Sequence, residues 1–170
     1  MPAKLSAAAL GALAILPSAA WSQAFRIGTY DSRAIAVAYA HSDMLREWHT
    51  KLRAQREEAM KAGDEQRARE IEARGKAAQE RLHQQGFSTG SVMSLFERIR
   101  QEIPAVARDA RVVLIVSKWE VVHRDPSIEY VDVTMPLVMK FRPSAQVLKT
   151  VEGVLKNDPI PLDKLPSHAH

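Results

Sequence analysis

Apolar and polar positions alternate along this chain with three different periods. Residues 25–30 (Phe-Arg-Ile-Gly-Thr-Tyr) alternate weakly, which predicts a short strand. It ends at Asp31-Ser32, either of which can cap a helical turn. Residues 33–40 are apolar and alanine-rich and are expected to pack against a sheet. Ser42 opens a longer helix with Asp43 in its first turn. Leu45, Trp48, Leu52, Gln55, Ala59 and Ala62 then recur at spacings of 3 and 4, a heptad seam with one polar position. Gly63 stops this helix, and Asp64 can cap the next. Ala68, Ile71, Gly75, Ala78 and Leu82 repeat the seam over residues 64–85. So short a link between two heptad helices predicts an antiparallel hairpin. Its tip is lined by Ala and Gly, which bury little area, so the tip is expected to be weakly held.

Residues 86–91 (Gly-Phe-Ser-Thr-Gly-Ser) interrupt the return leg, as a connector. Ser91 is expected to cap a third helical segment, where Val92, Phe96, Ile99, Ile103, Val106 and Ala110 continue the heptads. Pro104 should kink or restart it. After Arg111 the period changes. Val112-Val113-Leu114-Ile115-Val116 reads as a buried strand, residues 119–123 (Trp-Glu-Val-Val-His) as another, and Asp125-Pro126-Ser127 as a turn. Thr134 is expected to cap a short apolar helical turn. Residues 144–156 form a last amphipathic helix with Val147, Val151, Val154 and Leu155 on one face. Pro159, Pro161 and Pro166 mark a tail expected to be loose. The fold class expected is α+β: a small β-sheet body carrying an antiparallel coiled-coil helical hairpin, with an extra C-terminal helix.

The first 24 residues do not fit this scheme. Lys4, the uncharged apolar residues 5–16, Pro17 and the small residues of Ser22-Gln23-Ala24 have the layout of a cleavable secretory signal. The apolar stretch is shorter than the roughly 20 residues a spanning helix needs. Cleavage is expected before Phe25, with cleavage after Ala20 second, which leaves the mature chain free in the periplasm, or fully secreted, with no stable membrane anchor. Cysteine is absent, which excludes disulfides, thiol catalysis, cysteine metal sites and a lipid attached through cysteine. A net charge of +4 is too small to argue for nucleic acid. With 46% hydrophobic and 26% charged residues but only 6% aromatic, the composition favours long helices over a thick core.

Several local motifs, in this order, resemble the OmpH/Skp family of periplasmic chaperones. Arg26-Ile27-Gly28-Thr29-Tyr30-Asp31 is similar to the family's opening strand. Val113-Leu114-Ile115-Val116 is similar to the apolar strand after the hairpin. Residues 121–127 resemble the strand and turn that follow, and Asp132-Val133-Thr134 resembles the start of the last helix. The resemblance covers residues 25–141. It implies a sheet body at 25–41 and 111–141, a helical hairpin and return leg at 42–110, and a C-terminal helix and tail at 142–170 beyond the family's usual end. It also implies a homo-oligomer, with three subunits, and arms that hold unfolded outer-membrane or envelope proteins.

Reactive side chains are scattered. His41 and His49 lie eight residues apart, about 12 Å by helical rise, and cannot share a metal unaided. His83 and His123 stand alone, and His168 and His170 sit in the tail. Asp31-Ser32-Arg33 is better read as a helix cap than as part of a catalytic set. No catalytic, cofactor or metal residue is therefore assigned, and no enzyme activity is expected. Trp48, Leu52, Ile71 and Leu82, on the inner faces of the hairpin, are the candidate client-contact positions. The leading expectation is a non-enzymatic holdase. The alternative is a structural or adaptor protein that keeps the body without holding clients, and an enzyme comes third.

Overall fold

The computed structural model describes residues 25–165. The expected signal segment, Pro166, His168 and His170 lie outside the described residues. The chain is α+β, with a three-stranded sheet and seven α-helices among the described residues. Strand β1 (Arg26–Tyr30) is central, flanked by β2 (Leu114–Ser117) and β3 (Glu129–Asp132), and all three run parallel. Ile27 lies opposite Leu114 on one side and Tyr130 on the other.

Successive strand residues face opposite sides. Gly28, Ile115 and Val131 therefore share one face, and Ile115 and Val131 pack on the main core there. A side chain on Gly28 would sit within 3.3 Å of Val133 and nearer still to Ile115 and Val112, so the close packing of this face requires glycine. Helix α1 (Ser32–Ala40) supplies Ala34, Ile35 and Ala38, all fully buried in the same core. Its Ala-rich sequence lets it lie close to its neighbours.

Helices α2 (Asp43–Lys61) and α3 (Glu65–Phe87) follow, capped by the side chains of Ser42 and Asp64. Gly63 takes a positive φ of 72° at the reversal, the left-handed conformation that favours glycine. The helices run antiparallel: Arg74 donates to Gln55, and Arg56 pairs with Glu72 across the seam. The distal half has its own small core of Ala59, Ala68 and Ile71 with Leu52 against it, separate from the main one.

The third segment is broken into short pieces. Helix α4 (Met93–Phe96), a 3-10 turn (Glu97–Ile99) and α5 (Ile103–Ala110) replace the continuous helix that the heptads predicted. Val92, Phe96, Ile99 and Val106 are buried as the pattern required, but in the main core beneath the sheet. Pro104 restarts the helix at α5, where its missing N–H costs nothing. Ser91 is not the cap of α4. Val92 holds that position, and α3 runs on through Gly86 to Phe87 before the connector begins.

Two strand expectations need correction. Residues 119–123 are not a strand. Parallel strands need a crossover, and β2 and β3 lie on opposite sides of β1. The 118–128 segment must therefore return across the sheet, and the strand that pairs is Glu129–Asp132 instead. The apolar run 112–116 is not uniformly buried either. Val113, just ahead of β2, is 68% exposed, and Leu114, on the outward face of the sheet, is 52% exposed. Thr134 begins α6 (Thr134–Val138) rather than capping it. Its N–H is met by Asp132 and its hydroxyl accepts from the N–H of Asp31. Helix α7 (Ala145–Leu155), capped by Ser144, buries Val147 and Val151 in the main core.

Candidate functional site

The four hairpin positions singled out from sequence all lie on or near the seam. Ile71 is 7% exposed, buried between α2 and α3 beside Leu52. Leu52 approaches Gly75 so closely that a β-carbon there would lie 3.2 Å from it. Leu82 packs on the main core at the hairpin base, and Trp48 is half-buried with its ring 5.0 Å from that of His49. Ile71 is reachable from outside only where the helices part. The outer surface of the hairpin is instead mixed in charge. It carries the i,i+4 pairs Lys61–Glu57 and Arg69–Glu65 and the pair Arg46–Asp43. Arg67 and Arg74 line an open polar cleft of about 620 Å³ with Gln55, Asp64 and Glu70.

A second constellation sits at the C-terminal ends of the strands, and sequence reasoning missed it. Asp31 is fully buried. It caps α1 by accepting from the N–H of Arg33, and it takes two further bonds from the Arg33 side chain at 3.1 and 2.8 Å. The ammonium of Lys118 lies 2.9 Å from the same carboxylate, and the indole N–H of Trp119 is 3.3 Å away. Both cations lie over the Trp119 ring, Lys118 at 4.4 Å and Arg33 at 5.0 Å. Burial works against the charge on Asp31. The hydrogen bonds and charges of Arg33 and Lys118 outweigh it and hold the carboxyl below the usual carboxylate range. Nearby, burial, with the charge of Glu120 second, pushes Tyr30 up to about 12. This network joins the ends of β1 and β2 to α1 and, through Arg33, to the Asn157 carbonyl, and both oxygens of Asp31 accept hydrogen bonds within it. The sequence signals for it were Asp31-Ser32-Arg33, read as a helix cap, and Lys118, a charge set directly behind an apolar strand.

The connector after α3 is also built rather than open. Gln85, 3% exposed, donates to the Ser91 carbonyl at 2.6 Å and closes the turn. Beside it lies an apolar groove of about 360 Å³ between α1, α3 and α7, walled by Val37, Leu82, Phe87 and Val154 with His41 at its edge. The His41 ring is engaged with the Val37 carbonyl at 2.9 Å. Among the described residues no group of three potential ligands converges on a metal position, and no helix is long and apolar enough to cross a membrane.

The outward face of the sheet carries a set of apolar side chains. Ile27, Leu114, Val116 and Tyr130 share it by register, and Phe25, 68% exposed, stands just ahead of β1. The 118–128 crossing partly covers this face, with the Arg124 guanidinium 4.9 Å over the Tyr130 ring. The two edges differ. The β3 edge is guarded by Glu129 and Asp132, whereas β2 is apolar and open. Comparison with protein-family models, curated proteins and solved structures gives no match to this chain.

Proposed function

We propose that this chain is a non-enzymatic holdase of the bacterial periplasm, similar to the OmpH/Skp chaperones, that shields unfolded outer-membrane or envelope proteins. The observation that carries the reading is a two-helix arm inserted between neighbouring strands of a small sheet, with a thin seam of Ala59, Ala68, Ile71 and Leu52. In this reading α2 and α3 form a coiled-coil arm that offers shallow, mixed-charge contact. Such contact lets a client stay dynamic and leave once it folds. The sheet body is the assembly unit. Its outward face, with Phe25, Ile27 and Leu114, and its open β2 edge call for cover, and a second and third copy would supply it.

The test is dilution of a urea-unfolded outer-membrane β-barrel protein into buffer with and without this chain. Light scattering should fall in proportion to the chaperone present. Undiminished scattering would remove the holdase reading. Sedimentation at micromolar concentration should give an oligomer that Leu114→Glu dissociates, and a wild-type monomer would sink the assembly reading. The second reading, an adaptor without holdase activity, is favoured by the length of the arm. Helix α2 has 19 residues, about 28 Å at the helical rise, which is short for enclosing a client. Retained self-assembly with no effect on aggregation would favour it.

A further inference from the structure

The proline-rich segment after α7, expected to be loose, is tied to the rest of the fold at two separate points. The Asn157 carbonyl accepts from Arg33 at 2.8 Å, which links the end of α7 to the buried Asp31 network. Three residues on, the N–H of Ile160 donates to the Phe87 carbonyl at 2.9 Å, at the last residue of α3. Pro159 and Pro161 flank that contact and restrict the backbone on both sides of it. Leu162–Lys164 then closes in a 3-10 turn. Thr150 and Val154 of α7 line the same groove as Leu82 and Phe87 of α3, so α7 approaches the base of the arm there.

The place of attachment matters. Phe87 is where α3 ends and the connector to α4 begins, with Gly86 and Gly90 on either side. A β-carbon on Gly86 would meet nothing within 4 Å, whereas one on Gly90 would touch Gln85. This is the root of the arm. The core shared by Ala59, Ala68 and Ile71 lies beyond it and does not join the main core. We propose that the segment from Asn157 to the turn at Leu162–Lys164 is a strap that fixes the angle of the α2–α3 arm against the sheet body. Release of the strap frees the arm to pivot about residues 86–90. The arm is about 30 Å long, so a swing of about 10° carries its tip by about 5 Å.

The chain has no cysteine, so two introduced thiols can carry spin labels without further engineering. Met60, 52% exposed near the tip, and Met93, 61% exposed on the body, are the positions to use. Met60→Cys/Met93→Cys protein, diluted in unlabelled protein, is measured by double electron–electron resonance. Ile160→Pro deletes the one N–H that reaches Phe87, and a chain ending at Lys156 removes both anchors of the strap. Both variants should broaden the distance distribution by several ångströms. Amide exchange at Ala68 and Ile71 should stay at the wild-type rate, because the arm moves as a unit. Unchanged distributions in both variants would overturn the proposal. So would broadening accompanied by faster exchange at Ala68 and Ile71, because the arm would then be melting rather than pivoting.

Discussion

Replacement of Asp31 by Asn isolates the buried charge from everything else that residue does. The amide oxygen can still accept from the N–H of Arg33, so the cap on α1 survives. The negative charge does not. The Arg33 side chain, 4% exposed, then keeps its guanidinium in the protein interior with no carboxylate partner, and Lys118 loses the same counter-ion. Breaking a buried pair from one side costs about 3–5 kcal/mol. Against a total stability on the order of 5–15 kcal/mol, that is a large share. Urea unfolding at pH 7 should place Asp31→Asn about 3–5 kcal/mol below wild type. The pH dependence follows from the direction of the Asp31 shift. Its carboxyl is held below the usual range in the folded state, so its contribution is present above the unfolded value of roughly 3.9 and is lost as pH falls through the folded one. The gap between variant and wild type should therefore be constant from pH 7 to 5 and begin to close below about pH 4. A loss under about 1 kcal/mol at pH 7, or a gap that keeps its full size in acid, would refute the view that this charge holds the strand ends together.

Other perturbations test other parts of the fold. Ile71→Ala should cost about 2–4 kcal/mol in local stability of the arm, read as faster amide exchange at residues 60–73 with β1 unaffected. Gly75→Ala should raise arm stability by up to about 1 kcal/mol, because Leu52 is only partly buried and can yield to the new methyl group while the helix gains propensity. A fall in thermal midpoint would show that Leu52 cannot yield. Gly28→Ala should lower stability by about 1–3 kcal/mol in denaturant titration, since Ile115, Val112 and Val133 leave no room. Tyr30 should ionise at about 12, seen as a late step in ultraviolet titration that Tyr30→Phe removes. Since its folded value is raised from 10.0, stability should decline as pH climbs from there through about 12.

Much of the helical part was legible because its determinants are local. Ser42, Asp64 and Ser144 cap where a short polar side chain precedes an apolar period, and Gly63 reverses the chain where a left-handed residue is needed. The seam positions Ala59, Ala68 and Ile71 are buried as their spacing required. The strands were less legible. Val121 and Val122 have the β-branched character of a strand, yet Val122 is fully exposed, because strand order forces this stretch to cross the sheet rather than join it. Strand order is a tertiary property that four or five alternating residues do not encode. The buried network was invisible for the same reason: Asp31 and Trp119 lie 88 positions apart. Nor did the prolines after α7 signal the two contacts there, because prolines mark an extended backbone and an extended backbone can still be held by one N–H and one carbonyl.

The pairing of β1 with β2 across the whole intervening arm shapes how the chain must fold. During synthesis from the N-terminus, β1 and α1 emerge first and have no partner. Ala34, Ile35 and Ala38 belong to a core that is complete only when Leu137, Val138 and Val151 arrive. The arm can zip earlier, since its contacts are local, and by drawing residues 42 and 87 together it about halves the loop that the first strand must close. Each halving lowers the entropic cost by about 0.6 kcal/mol. The slow event should be the late docking of β2, β3 and α7 onto a strand made long before, and until then the nascent molecule exposes an apolar surface of its own that can aggregate.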